Sequence, residues 1–336
     1  MKFGPVPLND AIGAILAHSM PLQKGRLRKG VVLDADHIAQ LAAAGHDEVT
    51  VARLGPDDLG EDEAAAQLAG AMVAGIDAPL LRLGRATTGR VNLHAEAAGV
   101  LDLDVAAISA ANRVDPMITI ATLAPFARVG DGAIVATIKV ISYGVARASV
   151  QRAVDLLQGA MRVRPVVVRN ATLIETTIGA DGPGKGEAAI RERLERMGIT
   201  LDTVMHVPHR TGPLADAVAR AQGDLILILT ASATSDPHDT APEAVRIAGG
   251  SIARFGMPVD PGNLLFIGQS GDVPVIGLPG CARSIALNGA DWVLERVVCG
   301  VPVGDGDIAA MGVGGLLKDI PQRGRRRETP NPGGKG

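Results

Sequence analysis

The stretch "LILILTASATSDPHDTAPEA", residues 225–244, decides how the chain is read. Leu225–Leu229 is an unbroken apolar run of strand length, the pattern of a strand buried on both faces. Thr240 with Glu243 three residues on reads as a capping box, and Pro242 suits the first turn of a helix. Between strand and helix stand small residues, hydroxyls and the ionisable group Asp236, His238 and Asp239. Such a set can ligate a divalent ion through oxygen and imidazole, receive a phosphate, or form an ordinary strand-to-helix turn. The residues alone leave these readings open.

Working outward, strand and helix alternate from about Arg164 to Val298. The spacing predicts a strand over "RPVVVRNATLIETTI", the loop "GADGPGKG", a helix over "EAAIRERLERMG" and a strand over "DTVMHVP". A helix over "GPLADAVARAQG", the strand "DLILIL" and a helix over "APEAVRIAGG" follow. The strands "LLFIG" and "VPVIGL" and one long helix, "CARSIALNGADWVLERVVCG", complete the series. This predicts an α/β fold, a mostly parallel sheet with helices on both faces, whose ligands bind at the carboxyl ends of the strands. Cys281 and Cys299 on one helix would lie roughly 27 Å apart, too far for a disulfide.

The first half mixes elements and predicts an α+β region over residues 1–160. "PLNDAIGAILAHSM" has Leu8, Ile12, Ile15 and Leu16 at helical spacing. "DADHIAQLAAAGHDEVTV" reads as a capped helix ending at Gly45, then a strand. "EDEAAAQLAGAMVAG" and "RASVQRAVDLLQGA" read as helices, and "PMITIATL" and "GAIVATIKVISYGV" as strands. Residues 161–304 form the predicted second domain. Residues 305–336 are expected to be a tail, disordered after 320, where prolines, glycines and arginines dominate.

Of the 336 residues 47% are hydrophobic but only 2% aromatic, so the cores are expected to be built from Val, Ile, Leu and Ala. A net charge of −3 offers no overall basic face, and scarce aromatics offer no stacking platform, so nucleic acid is not an expected partner. No stretch has the order of a signal peptide or the length of a membrane span, which predicts a cytoplasmic protein with no membrane contact.

Three loops can carry chemistry. "GADGPGKG" nearly matches a phosphate loop through Gly179, Gly184 and Lys185, yet Gly186 stands where the Mg²⁺-binding hydroxyl would be. A flexible glycine turn and a modified phosphate-contacting loop both fit it. "MPVDPGNLLFIG" and "VIGLPGCARS" each place a Pro-Gly turn beside a strand, with Cys281 at the start of the last helix. His206 and His209, in "HVPH", have the look of a metal pair but stand alone.

The order of these loops resembles the MoaB/Mog molybdopterin-binding domain of the MogA, MoeA and gephyrin family. There a strand precedes T-G-G-T-G-x-x-x-x-D-x-x-P-[DE]-A; Thr230, Asp239, Pro242, Glu243 and Ala244 match it. A later P-G motif is matched by Pro261 and Gly262, and an L-P-G motif by Leu278, Pro279 and Gly280. The first half looks like the leading segment of MoeA, and the chain like a standalone form of a module fused elsewhere to a molybdenum-cofactor nucleotidyltransferase. The departures are Ala231-Ser232 for Gly-Gly, Thr234 for the third glycine, and Cys281 for an asparagine. The resemblance implies that molybdopterin or molybdenum cofactor binds at Thr177, Gly179, Gly184, Lys185, Thr230, Ser232, Thr234 and Ser235, with Ser232, Thr234 and Ser235 as hydroxyl donors. It extends that surface to Pro261, Gly262, Asn263, Pro279, Gly280, Cys281 and Ser284. It makes Asp239 the catalytic carboxylate and, with Asp236, a ligand of Mg²⁺. The implied role is binding and hand-over in molybdenum cofactor biosynthesis, the alternative being adenylyl transfer or metal insertion with Mg²⁺ and an ATP-derived nucleotide. Implied partners are a pterin with or without a nucleotide, a cofactor nucleotidyltransferase or molybdoenzyme, and further copies of the chain in a homo-oligomer.

Overall fold

The computed structural model describes residues 1–179 and 186–317. The chain divides into two compact units, Met1–Pro165 and Val166–Gly336. Ala180–Lys185, with Gly184 and Lys185 of the glycine loop, lie outside the described residues, as does the tail from residue 318.

The first unit is α+β. Lys2–Pro7 and Ile15–Leu16 pair antiparallel with the central strand Glu48–Arg53, beside the helix Ala35–Ala43, which Asp34 caps. The helix expected over residues 7–20 is absent. In its place are a short 3-10 turn at Leu8–Asp10 and the strand Ile15–Leu16. Gly13 at φ +77° turns the chain out of helical geometry, and Ile12 is exposed. The apolar spacing therefore belongs to a turn and a strand, not to one helical face. A second sheet runs Ile118–Thr122, Ile134–Val140, Arg90–Ala95, Leu81–Leu83 and packs on the helices Glu61–Val73 and Arg147–Leu157. Its core is aliphatic: Leu68, Met72, Leu93, Ile138 and Leu157 are fully buried.

In the second unit the strands are β1 (Asn170–Thr177), β2 (Thr200–Pro208), β3 (Leu225–Leu229), β4 (Ser251–Phe255), β5 (Phe266–Ser270) and β6 (Val273–Leu278). The helices are α1 (Gly186–Glu195), α2 (Thr211–Arg220), α3 (Thr240–Ile247), α4 (Gly289–Val298) and α5 (Asp305–Ala310). The sheet order is β2-β1-β3-β6-β5-β4; the first four are parallel, and β5 and β4 run antiparallel at one edge. Every residue of β3 is buried, as a strand covered on both faces requires. Ile174, Ile226, Ile228 and Val275 pack on α2 and α3. On the other face, α1 and α4 are joined by an ion pair.

Four expectations give way. The strand "RPVVVRNATLIETTI" is two: Met161–Pro165 pairs with Gly99–Leu103 in the first unit, and β1 begins only at Asn170. The long last helix is also two, a 3-10 turn at Gly280–Arg283 and α4, separated by an extended Ser284 and the helix cap Asn288. Cys281 and Cys299 thus do not share a helix, and they form no disulfide. The strand β4 was not expected. Nor was structure after 304: α5 buries Ile308, and Leu317 N–H donates to Asp260 O at 2.8 Å.

The fragment 166–317 is expected to unfold in one cooperative thermal transition. Ending it at 304 removes Ile308 from its core and should lower Tm by about 5 °C or more. A fragment 166–317 without a transition would refute an independent second unit.

Candidate functional site

From β1 the chain passes through α1 to β2 on one side, then crosses through α2 to β3 on the other. The direction of winding therefore reverses between β1 and β3. Loops leaving neighbouring strands to opposite faces open a crevice at such a point, at the carboxyl ends of the strands. The segments after β1, β2, β3 and β6 all lie on that edge. So does the loop before β5, whose first residue Phe266 pairs with Gly277 near the end of β6.

Alternation along β1 sends its last residues to opposite faces. Glu175 is 2% exposed, opposite His206 of β2, with Glu175 Oε2 and His206 Nε2 3.2 Å apart. Burial pushes the Glu175 carboxyl above the usual carboxylate range; His206 and Arg283 oppose the shift and Glu187 adds to it. Gly186 opens α1 directly over this carboxyl, where a Cβ would collide with Leu229 and come within 2.7 Å of Glu175 Oε1. Arg283 Nη2 donates to Thr230 O at 2.5 Å and so ties the segment after β6 to the loop after β3.

The other face carries Thr176. Its buried hydroxyl oxygen accepts Ala231 N–H at 2.8 Å and lies 2.9 Å from His209 Nδ1. Thr230 Oγ1 donates to Ser232 O at 2.6 Å and meets Thr234 Oγ1 at 3.3 Å. Asp239 Oδ2 accepts Ser235 N–H at 3.0 Å, and Oδ1 accepts Thr240 N–H at 2.6 Å. The Ser235 N–H is the main cause holding Asp239 below the usual carboxylate range; Thr240 and the nearby His209 add to it against burial. Asp239, not Thr240, is therefore the N-cap of α3, and Glu243 pairs with Arg246 at 3.1 Å instead of closing a capping box. None of residues 231–235 has positive φ, so Ala231, Ser232 and Thr234 occupy their places without backbone strain.

The expected site residues fall into two groups. Thr177, Thr230, Ser232, Thr234, Ser235, Asp236 and Asp239 gather at the ends of β1 and β3, and Gly179 follows at φ +66°. Thr234 is buried and turned toward Thr230, so its hydroxyl serves the loop and not a ligand. Pro279, Gly280, Cys281 and Ser284 follow β6 and reach the loop through Arg283. Pro261, Gly262 and Asn263 act on backbone. Pro261 O accepts Gly289 N–H at 2.8 Å, a Cβ on Gly262 would come within 2.8 Å of that nitrogen, and Asn263 O accepts Met257 N–H at 3.0 Å. Asp236 Oδ1 accepts His238 N–H at 2.7 Å. The described residues contain no group of three His, Cys, Asp or Glu able to hold a metal ion. Asp239 and Asp236 both accept from backbone N–H groups of their own loop.

The sequence reading missed Glu175, Thr176, Arg193 and Arg283. A carboxylate inside an otherwise apolar strand was a signal for Glu175; nothing local marks the other three. Arg193 of α1 is 6% exposed. Its Nε donates to Asp291 Oδ1 at 2.6 Å, and its terminal nitrogens donate to Ala282 O at 2.8 Å, Ser284 O at 2.6 Å and Ala286 O at 3.1 Å.

Among known proteins, the family model for a domain of unknown function (DUF8806) matches residues 5–53. No curated protein matches the chain. A molybdopterin biosynthesis MoeA protein from Pyrococcus horikosii is similar in structure at TM-score 0.28 and 12% identity, over 90% of this chain and 74% of that one. A structure of MogA is similar at TM-score 0.28 and 22% identity, over 38% of this chain and 92% of that one. The molybdopterin biosynthesis Mog protein from Mycobacterium ulcerans is similar at TM-score 0.26 and 19% identity, with the same two coverages. The α/β assignment rests on this chain's own strand order. Among the described residues no helix is long and apolar enough to cross a membrane.

A carboxyl whose folded pKa is raised stabilises the fold below its unfolded value and loses that contribution as pH rises through the folded value. Glu175→Gln should therefore gain on the parent as pH rises above the ordinary 4.5, read as a widening Tm difference between pH 4 and pH 8. A constant difference would show that folding does not raise the Glu175 carboxyl. Arg193→Ala should cost about 3–5 kcal/mol in denaturant unfolding, because Asp291 and four carbonyls, that of Ala189 among them, lose their donor together.

Proposed function

We propose that the chain binds a phosphorylated pterin of the molybdopterin type at the carboxyl edge of β1 and β3. It would hold the molybdenum cofactor, or a late precursor, for hand-over to a cofactor nucleotidyltransferase or molybdoenzyme. The observation that carries this reading is the loop after β3 at the point where the winding reverses. Thr230 and Asp239 brace it from its two ends, and the backbone N–H groups of Ser232, Ala233 and Thr234 meet no acceptor among the described residues. Backbone N–H groups of a loop that meet no acceptor can receive an anion. The motif resemblance supplies the ligand class: Thr230, Asp239, Pro242, Glu243 and Ala244 stand where the molybdopterin-binding pattern has them.

Holding is favoured over turnover by two features of this loop. Ala231 and Ser232 place side chains where the pattern has bare backbone, and both are exposed at the loop surface. A ligand there meets a surface of fixed width. Asp239 gives both oxygens to backbone donors, so its first task is to shape the loop. The second reading, adenylyl transfer to the pterin or metal insertion into it, is favoured by the same carboxylate, which stands beside the anion-binding N–H groups. ATP consumption separates the two.

Mass spectrometry of the purified protein, with and without added molybdopterin, should find the pterin retained and ATP unconsumed. Protein that retains no pterin would overturn the binding reading, and ATP turnover would overturn holding. Ala231→Gly/Ser232→Gly should lower stability by about 0.4–1 kcal/mol per site, since the loop has no strain for glycine to relieve. It should weaken pterin retention and create no nucleotidyl transfer.

A further inference from the structure

The buried hydroxyl of Thr176 fixes more than a loop. It has one proton to give and two lone pairs to receive with. One lone pair takes Ala231 N–H at 2.8 Å. Thr176 is 4% exposed, and among the described residues no buried side-chain polar atom lacks a partner. Among the described residues one acceptor lies within reach of the hydroxyl proton, His209 Nδ1 at 2.9 Å. If Nδ1 carried the ring proton instead, Thr176 would receive twice and its own proton would have no acceptor. His209 is thus held as the tautomer with its proton on Nε2. The backbone fixes the ring from the other side, because His209 N–H donates to Thr177 O at 2.8 Å. Nε2 meets no acceptor among the described residues. The ring stands two hydrogen bonds from Ala231 and close enough to Asp239 to be felt by its charge.

We infer that His209 is the side-chain donor of the site, its Nε2–H binding an oxyanion of a phosphate group and Thr176 fixing the tautomer that makes it a donor. This rests on the reading that the edge receives a phosphorylated ligand, and it names a residue that the motif pattern does not. Loop N–H groups bind any anion of the right size. A single directed imidazole N–H sets where one phosphate oxygen sits, and so orients what the phosphate carries.

Two amide substitutions separate this role from a structural one. His209→Gln puts an amide nitrogen near the place of Nε2, and His209→Asn puts one near the place of Nδ1. With phenyl phosphate titrated into the full chain, Gln should bind within about threefold of the parent, while Asn and Ala should lose about tenfold or more. A residue that only props Thr176 gives the reverse order, which would overturn the proposal. Ring ¹⁵N spectra of the parent provide a test that needs no variant. They should show Nδ1 unprotonated and an Nε2–H signal that moves saturably with phenyl phosphate and with inorganic phosphate. A proton on Nδ1 would overturn the proposal, as would a still Nε2 signal while the amides of residues 232–234 shift, or no saturable shift with either phosphate. A parallel titration with molybdopterin keeps the two readings apart. Phosphate binding through His209 without pterin binding sinks the pterin reading alone. Pterin retention that His209→Asn leaves unchanged sinks this one alone.

Discussion

One guanidinium holds the carboxyl edge of the second unit together. Arg193 lies in the interior between α1 and α4, where a lone charge would be untenable, and Asp291 supplies its counter-charge. Its terminal nitrogens donate to Ala189 O of its own helix and to three carbonyls of the segment after β6, at Ala282, Ser284 and Ala286. Beyond the 3-10 turn at Gly280–Arg283 the segment is neither helix nor strand, so the carbonyls of Ser284 and Ala286 have no ladder to satisfy them. Asp291 has a second duty, since its Oδ2 accepts Asn288 N–H at 2.8 Å and closes the cap of α4. From this anchor the order extends outward. The fixed segment presents Arg283, Arg283 grips Thr230 O, and Thr230 closes the loop after β3.

The site has two chemical halves because a strand alternates. Glu175 and Thr176 are neighbours in sequence and face opposite sides of β1, and each meets a histidine from the end of β2. Around Glu175 the environment is charged: the carboxyl is buried, His206, Arg283 and Glu187 act on it electrostatically, and burial raises its pKa above the usual carboxylate range. Around Thr176 the environment is a chain of hydrogen bonds that ends at the surface. Neither pair includes a residue of the motif that pointed to the fold.

What the sequence shows and what it hides follow from range. The run Leu225–Leu229 is legible because burial on both faces needs nothing beyond its own composition. The turn and helix after it are legible because Asp239, Pro242 and Glu243 act within a few residues, although the cap moves one place, from Thr240 to Asp239. The last helix misleads because its apolar spacing continues through residues 284–287, where Ile285 and Leu287 are exposed and only Arg193, about ninety residues earlier, explains the break. Residues 7–20 mislead likewise: Gly13 turns the chain, and the partners of Leu8 and Leu16 are Asp47 and Val31, outside any local window. The site was half visible for the same reason. Loop residues announce themselves locally, whereas Glu175, Thr176 and Arg283 acquire meaning only when β2, β3 and β6 are set beside β1.

The distribution of glycine bears on what the loop after β3 is for. Glycine is required at Gly186, where any side chain would strike Leu229 and Glu175, and at Gly289, where a Cβ would come within 2.6 Å of Met257 Sδ. Both are contacts of protein with protein. In the loop, where the resembling pattern uses glycine to let a phosphate reach the backbone, Ala231, Ser232 and Thr234 stand in conformations that side chains tolerate. A loop of this kind has fewer unfolded conformations to lose and a narrower range when folded. It gives up close approach and gains a fixed shape, with Thr234 turned inward as a brace and Ser232 outward. Transfer chemistry needs a backbone that can follow a phosphate as its geometry changes. The proposed holding role rests on this fixed shape, since retention of a ligand asks only for a loop that stays where it is, braced here by Thr230 and Asp239.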